Sequence, residues 1–211
     1  MSEASLHSKL QLTRPDPGAI GVGLLIRQAQ TGDLRAFEEL VAVYQDKVVT
    51  MGYYLTGNHA DAQDLAQEVF VRAYTNLKSF RHDADLGTWL HRIALNQWSN
   101  MKRSQKFPNM LSLDDPVQTE KGELARTVVS DNQEGDPPGA FEGKELQESV
   151  QQALRSLPDE HRIVLVLREI EGYSYEEIAK ITGCSLGTVK SRMSRARQGL
   201  REKITGQDRH I

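Results

Sequence analysis

One cysteine, Cys184, stands in a chain of 211 residues. No disulfide can close within the chain, and a lone thiol fits a reducing compartment. Long apolar runs are missing too. The stretch Ile20-Gly-Val-Gly-Leu-Leu-Ile26 is too short to span a bilayer and ends in polar residues. No signal peptide and no membrane insertion are expected, and the expected location is cytoplasmic. The histidines are scattered, and no His/Cys cluster has metal-ligand spacing. Gly143-Lys144 lacks both the upstream glycine spacing and the following Ser or Thr of a phosphate loop. No nucleophile motif emerges. The expectation is therefore no catalytic residue, no metal, no cofactor, no small-molecule substrate and no enzyme. Strand-length alternation and internal repeats are also absent, which points to an all-α fold.

What is present is ordinary in amount and unusual in placement. The chain is 38% hydrophobic and 26% charged, with a net charge of −3. The basic charge gathers near the end: Lys190, Arg192, Arg195, Arg197, Arg201 and Lys203. The acidic charge gathers in the middle: Asp114, Asp115, Glu120, Glu123, Asp131, Glu134 and Asp136, against only Lys121 and Arg126. Nucleic-acid binding depends on such local fields more than on the overall balance.

Helical spacing divides the chain into two small helical domains. A polar, proline-bearing arm is expected over 1–19. In 20–106, Leu24, Leu25, Ile26 and Ala29 predict a helix stopped by Gly32. Asp33 is placed to cap the next, with Leu34, Phe37, Leu40, Val41, Tyr44 and Val48 on one face and Gly57 at its end. Asn58 is a predicted N-cap for a third helix. Ala62, Leu65, Ala66, Val69, Phe70, Ala73, Tyr74 and Leu77 would be its buried face, and Asp61, Asp64, Gln67, Glu68 and Arg72 its polar one. After the polar loop Arg81–Gly87, a helix from near Thr88 carries Leu90, Ile93, Ala94, Trp98 and Met101 on one side. Arg92, Asn96, Ser99 and Arg103 fall on the other. Over 107–143 the periodicity stops, and prolines and acids predict a flexible acidic linker. The second domain, 144–205, starts near Lys144, and 206–211 is a tail. Pro158 suits a first helical position, and that helix should run to Gly172. Ser174 and Glu177 predict a capping box for a short helix. Gly183 makes a turn, and Ser185 caps a final basic helix.

Short helix, glycine turn and second helix form a helix-turn-helix layout. Leu186, Val189, Met193, Ala196 and Leu200 are the inward stripe of the last helix. Thr188, Ser191, Arg192 and Arg195 lie on the outward face, with Ser194 at its edge. Arginine can make bidentate contacts to guanine, and Lys190 and Arg197 flank the face where phosphates would run. The plainer alternative is a solvated basic helix end that complements the dipole.

Two blocks of sequence resemble bacterial RNA polymerase sigma factors. Asp61-Ala-Gln-Asp-Leu-Ala-Gln-Glu-Val-Phe70, Ser79-Phe-Arg81 and Thr88-Trp-Leu-His-Arg-Ile-Ala-Leu-Asn96 are similar to region two. Leu157-Pro-Asp-Glu-His-Arg162, Tyr173-Ser-Tyr-Glu-Glu-Ile-Ala179 and Gly187-Thr-Val-Lys-Ser-Arg192 are similar to region four. The order and overall size resemble the extracytoplasmic-function group of the sigma-70 family. The resemblance implies partners: core RNA polymerase (the clamp helices of its largest subunit and the flap), promoter DNA and an anti-sigma factor. It implies that Asp61, Asp64, Gln67, Glu68 and Arg72 dock on the polymerase, whereas helix patterning alone favours a solvated helix face. It places Phe80, His82, Asp83, Arg92 and Asn96 at the minus-ten element, where a base of the opened strand is flipped and captured. Trp89 has a rival role as a core anchor, and Asn96 as a local hydrogen-bonding group. Thr188, Lys190, Ser191, Arg192, Ser194, Arg195 and Arg197 would read the minus-thirty-five element. The linker carboxylates Asp114, Asp115, Glu120 and Glu123 would thread the channel used by nascent RNA. Asp85-Leu86-Gly87 stands where many relatives carry aromatics, and Ser194 where some do. A stand-alone helix-turn-helix regulator is the alternative reading; it accounts for the second domain and leaves Asp61 to Asn96 without a purpose.

Overall fold

Residues 19–81, 84–106 and 138–207 are described by the computed structural model, and among them every regular element is helical. Helices α1 (Ala19–Gln30), α2 (Leu34–Thr56), α3 (His59–Asn76) and α4 (Leu86–Lys106) build the first unit. A 3-10 turn, Leu77–Ser79, follows α3. Helices α5 (Pro138–Arg155), α6 (Asp159–Leu165), α7 (Tyr175–Thr182) and α8 (Leu186–Gln207) build the second. The all-α, two-unit expectation holds.

Local chemistry sets most of the helix ends. The Asp33 carboxylate accepts from the Arg35 and Ala36 amides, and Asn58 accepts from the Asp61 amide. Both satisfy first-turn N–H groups that have no partner inside the helix. Ser174 and Glu177 form the predicted capping box on α7. The Ser185 hydroxyl accepts from the Thr188 amide at 3.1 Å at the start of α8. Gly183 closes the α7–α8 turn at a φ of 67°, a left-handed conformation that other residues adopt only at a cost.

Four boundaries differ from expectation. Helix α4 starts at Leu86, two residues before Thr88, because the Asp85 carboxylate already accepts from the Gly87 amide at 3.0 Å. Helix α5 starts at Pro138, inside the stretch assigned to the linker. Proline is tolerated there because a first-turn residue needs no N–H donor. Pro158 is the N-cap of α6 and not its first helical residue. Helix α6 does not run unbroken to Gly172: it widens into a π-turn over Val166–Ile170, where the Glu171 amide reaches back to the Val166 carbonyl at 3.1 Å.

Val48, Leu55, Leu65 and Val69 are fully enclosed in the first unit, and Val164, Leu167, Ile178 and Val189 in the second. Burying each such side chain stabilises the fold by about 1.5–3 kcal/mol. Gly52 lets α2 and α3 approach closely, since a Cβ there would lie 3.2 Å from the Ala62 carbonyl oxygen. The two units share one continuous apolar cluster. Helix α4 packs on α7, and α2 packs on α5 and the π-turn. Arg162 crosses this seam, buried, and its Nη1 donates to the Leu55 carbonyl at 2.7 Å. Sequence patterning did not foresee this direct contact between units.

Candidate nucleic-acid interface

Three surfaces hold the predicted site residues. The first is the outer face of α3. Asp64, Gln67 and Glu68 are exposed there, while Asp61 and Arg72 are partly covered. Glu68 takes the Arg72 Nε at 2.7 Å, one turn apart on the helix. The pair is solvent-washed and contributes about 0.3–0.5 kcal/mol, but it orders both side chains. Asp61 receives the Asn58 side-chain amide at 2.7 Å and so belongs to the cap. Asp64 and Gln67 remain as adjacent, outward-pointing acceptors on a rigid element.

The second surface is a cleft between the 3-10 turn and the start of α4. It holds about 230 Å³ and is lined by Ser79, Phe80, Arg81, Ala84, Thr88, Trp89 and Arg92. One water needs about 10–15 Å³ on the same measure, so the cleft admits a much larger group. Phe80 and Trp89 meet at 5.2 Å between ring centroids. Phe80 is buried and Trp89 half-buried, so Phe80 forms the floor while part of the indole faces the opening. Trp89 packs against the apolar cluster as well as lining the cleft. Arg92 lines the cleft as well, with its guanidinium Nη2 donating to the Lys180 carbonyl at 2.6 Å. Asn96, exposed, lies one turn further along α4. His82 and Asp83 lie outside the described residues, as do Asp114, Asp115, Glu120 and Glu123.

Gln30 holds one edge of this cleft. Its side-chain amide donates to the Leu77 carbonyl at 3.0 Å and to the Phe80 carbonyl at 2.9 Å. Two bonds from one side chain pin the 3-10 turn to α1. Nothing in the sequence marked Gln30, because its partners are 47 and 50 residues away.

The third surface is the outward face of α8. Lys190, Ser191, Ser194, Arg195 and Arg197 are exposed, and Thr188 and Arg192 are half-buried. Val189, Met193 and Ala196 are buried beneath them, as the inward stripe predicts, while Leu186 and Leu200 are half-buried at its ends. Arg192 pairs with Glu160 at 2.6 Å, and Arg197 with Glu169 at 2.8 Å. The two acids come from α6 and its π-turn and hold these arginines along the helix flank. The Ser191 hydroxyl donates to the Thr188 carbonyl at 3.0 Å. The Thr188 and Ser185 hydroxyls are bonded at 2.9 Å. Lys190, Ser194 and Arg195 are thus the outermost groups of this face.

Cys184 is half-buried, with its sulfur 3.1 Å from the Thr182 hydroxyl. It packs against the core beneath the turn. Among the described residues no group of His, Cys, Asp and Glu is placed to hold a metal ion, and no helix is long and apolar enough to cross a membrane.

Comparison with known proteins agrees with this layout. Residues 40–107 match the family profile described as Sigma-70 region 2, and residues 147–200 that described as Sigma-70, region 4. The ECF RNA polymerase sigma factor SigW of Bacillus subtilis (strain 168) is 37% identical over 179 residues, which is 85% of this chain and 94% of that protein. Among solved structures, CnrH in complex with the cytosolic domain of CnrY superposes with a TM-score of 0.63 at 25% identity, covering 88% of this chain and 98% of that one. The sigma factor RpoE in complex with the anti-sigma factor NepR, from Bartonella quintana, gives 0.58 at 26% identity, covering 82% and 98%.

Proposed function

Because this chain belongs to the sigma-70 family of RNA polymerase sigma factors, in its extracytoplasmic-function group, we propose that its three surfaces divide the work of promoter recognition. The chain binds core RNA polymerase, directs it to particular promoters and helps to open the DNA. The α3 face with Asp64, Gln67 and Glu68 is the polymerase contact, where carboxylates on a rigid helix suit a basic partner surface. Asp61 and Arg72 support it by fixing the cap and Glu68. The α8 face reads the upstream element: Arg195, Ser194 and Ser191 toward base edges, Lys190 and Arg197 toward phosphates, and Thr188 and Arg192 at the margin.

The cleft carries the argument for DNA opening. It joins an aromatic wall (Trp89 over Phe80) to hydroxyl and guanidinium groups at its rim. A base lifted from a duplex needs that combination of a stacking face and polar edges. Contacts made only to the opened strand offset the few kcal/mol lost on unstacking a base, so melting needs no nucleotide hydrolysis. Arg92 and Asn96 are the α4 side of this site, with His82 and Asp83 assigned to its loop. Such work is binding and not catalysis, and it takes place where the polymerase is, in the cytoplasm. The RpoE relative was solved with an anti-sigma factor, and we infer that this chain is held by a partner of that kind.

Reconstitution with bacterial core polymerase on a promoter library tests the reading. The expected result is a stoichiometric complex that opens a restricted set of promoters. A chain that ignores core polymerase, and instead binds palindromic DNA as a symmetric dimer, would establish the regulator reading in its place.

A further inference from the structure

The last carbonyls of a helix have no donor within it. Where α3 gives way to its 3-10 turn, the Phe80 amide takes one of them, donating to the Leu77 carbonyl at 3.0 Å. Phe80 then leaves in an extended conformation, with φ −69° and ψ 117°. Its own carbonyl lies past the end of the turn. Gln30 serves both carbonyls from one planar amide, at 3.0 Å to Leu77 and 2.9 Å to Phe80. A glutamine amide has two N–H groups, enough for one to each carbonyl.

The bond to Phe80 bears on the cleft. The Phe80 carbonyl and the Arg81 N–H belong to one planar peptide unit. Holding that carbonyl fixes the plane between the buried Phe80 ring, which is the floor, and Arg81, which lines the wall. The anchor is itself held. The Thr31 hydroxyl donates to the Gln28 carbonyl at 2.7 Å, and the Gly32 amide to the Ala29 carbonyl at 3.1 Å. Ile26 and Ala29 are buried and already fasten α1 to the bundle. A tie between helices therefore needs no glutamine here, and the two bonds fall on residues at the base of the cleft.

We propose that Gln30 is a positioning residue for base capture, whose paired bonds set the spacing and tilt between the Phe80–Arg81 side of the cleft and Trp89 on α4. Gln30 does not line the cleft, so it acts through the backbone of Leu77 and Phe80. The proposal rests on the reading of the cleft as the site of a base lifted from the opened strand. A binding site works when its groups are held to within about 0.5 Å. Without the two donors, water takes over the carbonyls and the turn loses that tolerance. The α3 and α8 faces are untouched by the change.

The test measures what the captured base contributes. The full-length chain, bound to core RNA polymerase, is titrated with a fluorescent single strand. Its sequence is the non-template strand of a promoter that the wild-type chain opens. An abasic residue replaces each base of the minus-ten element in turn, and the largest loss of affinity gives the value of the base. The wild type should lose at least about fivefold, the low end of base–aromatic stacking. Gln30→Met keeps the length and lacks the donors. Gln30→Glu keeps the shape and, ionised, lacks them too. Both should cut the ratio of intact to abasic affinity to less than about half the wild-type value, with core binding unchanged. A residue that only stabilised the fold would weaken intact and abasic strands alike and leave the ratio as it was. A ratio at or above half the wild-type value, in either variant that keeps its helix content, overturns the proposal. If the wild type itself loses less than about fivefold at every position, the base-capture reading of the cleft fails first and takes the proposal with it.

Discussion

Burial strips the Arg162 guanidinium of water, and backbone carbonyls take its place. Its nitrogens donate to the carbonyls of Leu154, Leu55, Arg155 and Leu157 at 2.7–3.4 Å, and its charge sits over the Trp98 ring. Desolvation pulls its pKa below the ordinary value, with Asp159 opposing that shift and Arg155 adding to it. Arginine keeps its proton in proteins all the same, so this anchor brings no pH dependence to stability in the neutral range. Arg162→Met removes the donors and leaves buried carbonyls unpaired, at about 1–3 kcal/mol for each that stays dry. Thermal denaturation should show the midpoint falling by at least 5 °C; a shift below 2 °C would mean that water replaces the guanidinium. On the α8 face proposed to meet DNA, the residue to test is Arg195, which is exposed. Arg195→Ala should weaken binding to the upstream element about tenfold, the size of one good bidentate base contact, with core binding unchanged in the same assay. Arg195 was legible in the sequence because its exposure follows from the apolar stripe behind it. Arg162 was not, because it sits in an ordinary polar helix start and its Leu55 partner is 107 residues away.

At the scale of single helices, the caps were the most legible feature and the widened turn the least. Asp33, Asn58 and Ser174 each act on amides two or three residues away, so a short window of sequence contains the whole interaction. Ser174→Ala should cost about 1 kcal/mol. The loss belongs to α7, so hydrogen exchange of its amides should quicken while those of α3 stay protected. Equal acceleration everywhere would show that α7 unfolds only with the whole chain. The π-turn at Val166–Ile170 had no such local signal. One extra residue in a turn rotates everything after it, and here it precedes Glu171 and Tyr173, which reach His91. The register of that contact depends on a backbone irregularity that apolar spacing does not encode. The cleft was half legible: Arg92 and Asn96 stood out from the inward face of α4, whereas the edge pinned by Gln30 depends on another helix.

For the whole molecule, the expectation of two linked domains describes the connectivity but not the cooperativity. One apolar cluster runs through both units, so the chain should melt as a single transition, with calorimetric and van't Hoff enthalpies equal within error. Two separated transitions would show that the units are stable apart and only lean on one another. The same seam contains its own optical probe. Trp98 is 4% exposed, with the Lys102 ammonium 5.1 Å and the Arg162 guanidinium 5.6 Å from its ring centroid. The guanidinium belongs to the second unit and the indole to the first, so parting the units takes away one cation and lets water in. In urea, emission from a Trp89→Phe chain, in which Trp98 is the sole indole, should move to the red in the same transition that unfolds the helices. A red shift that precedes the loss of helix would mean that the seam parts before either unit unfolds. The protein thereby carries a built-in reporter on the joint between its halves, readable without a dye.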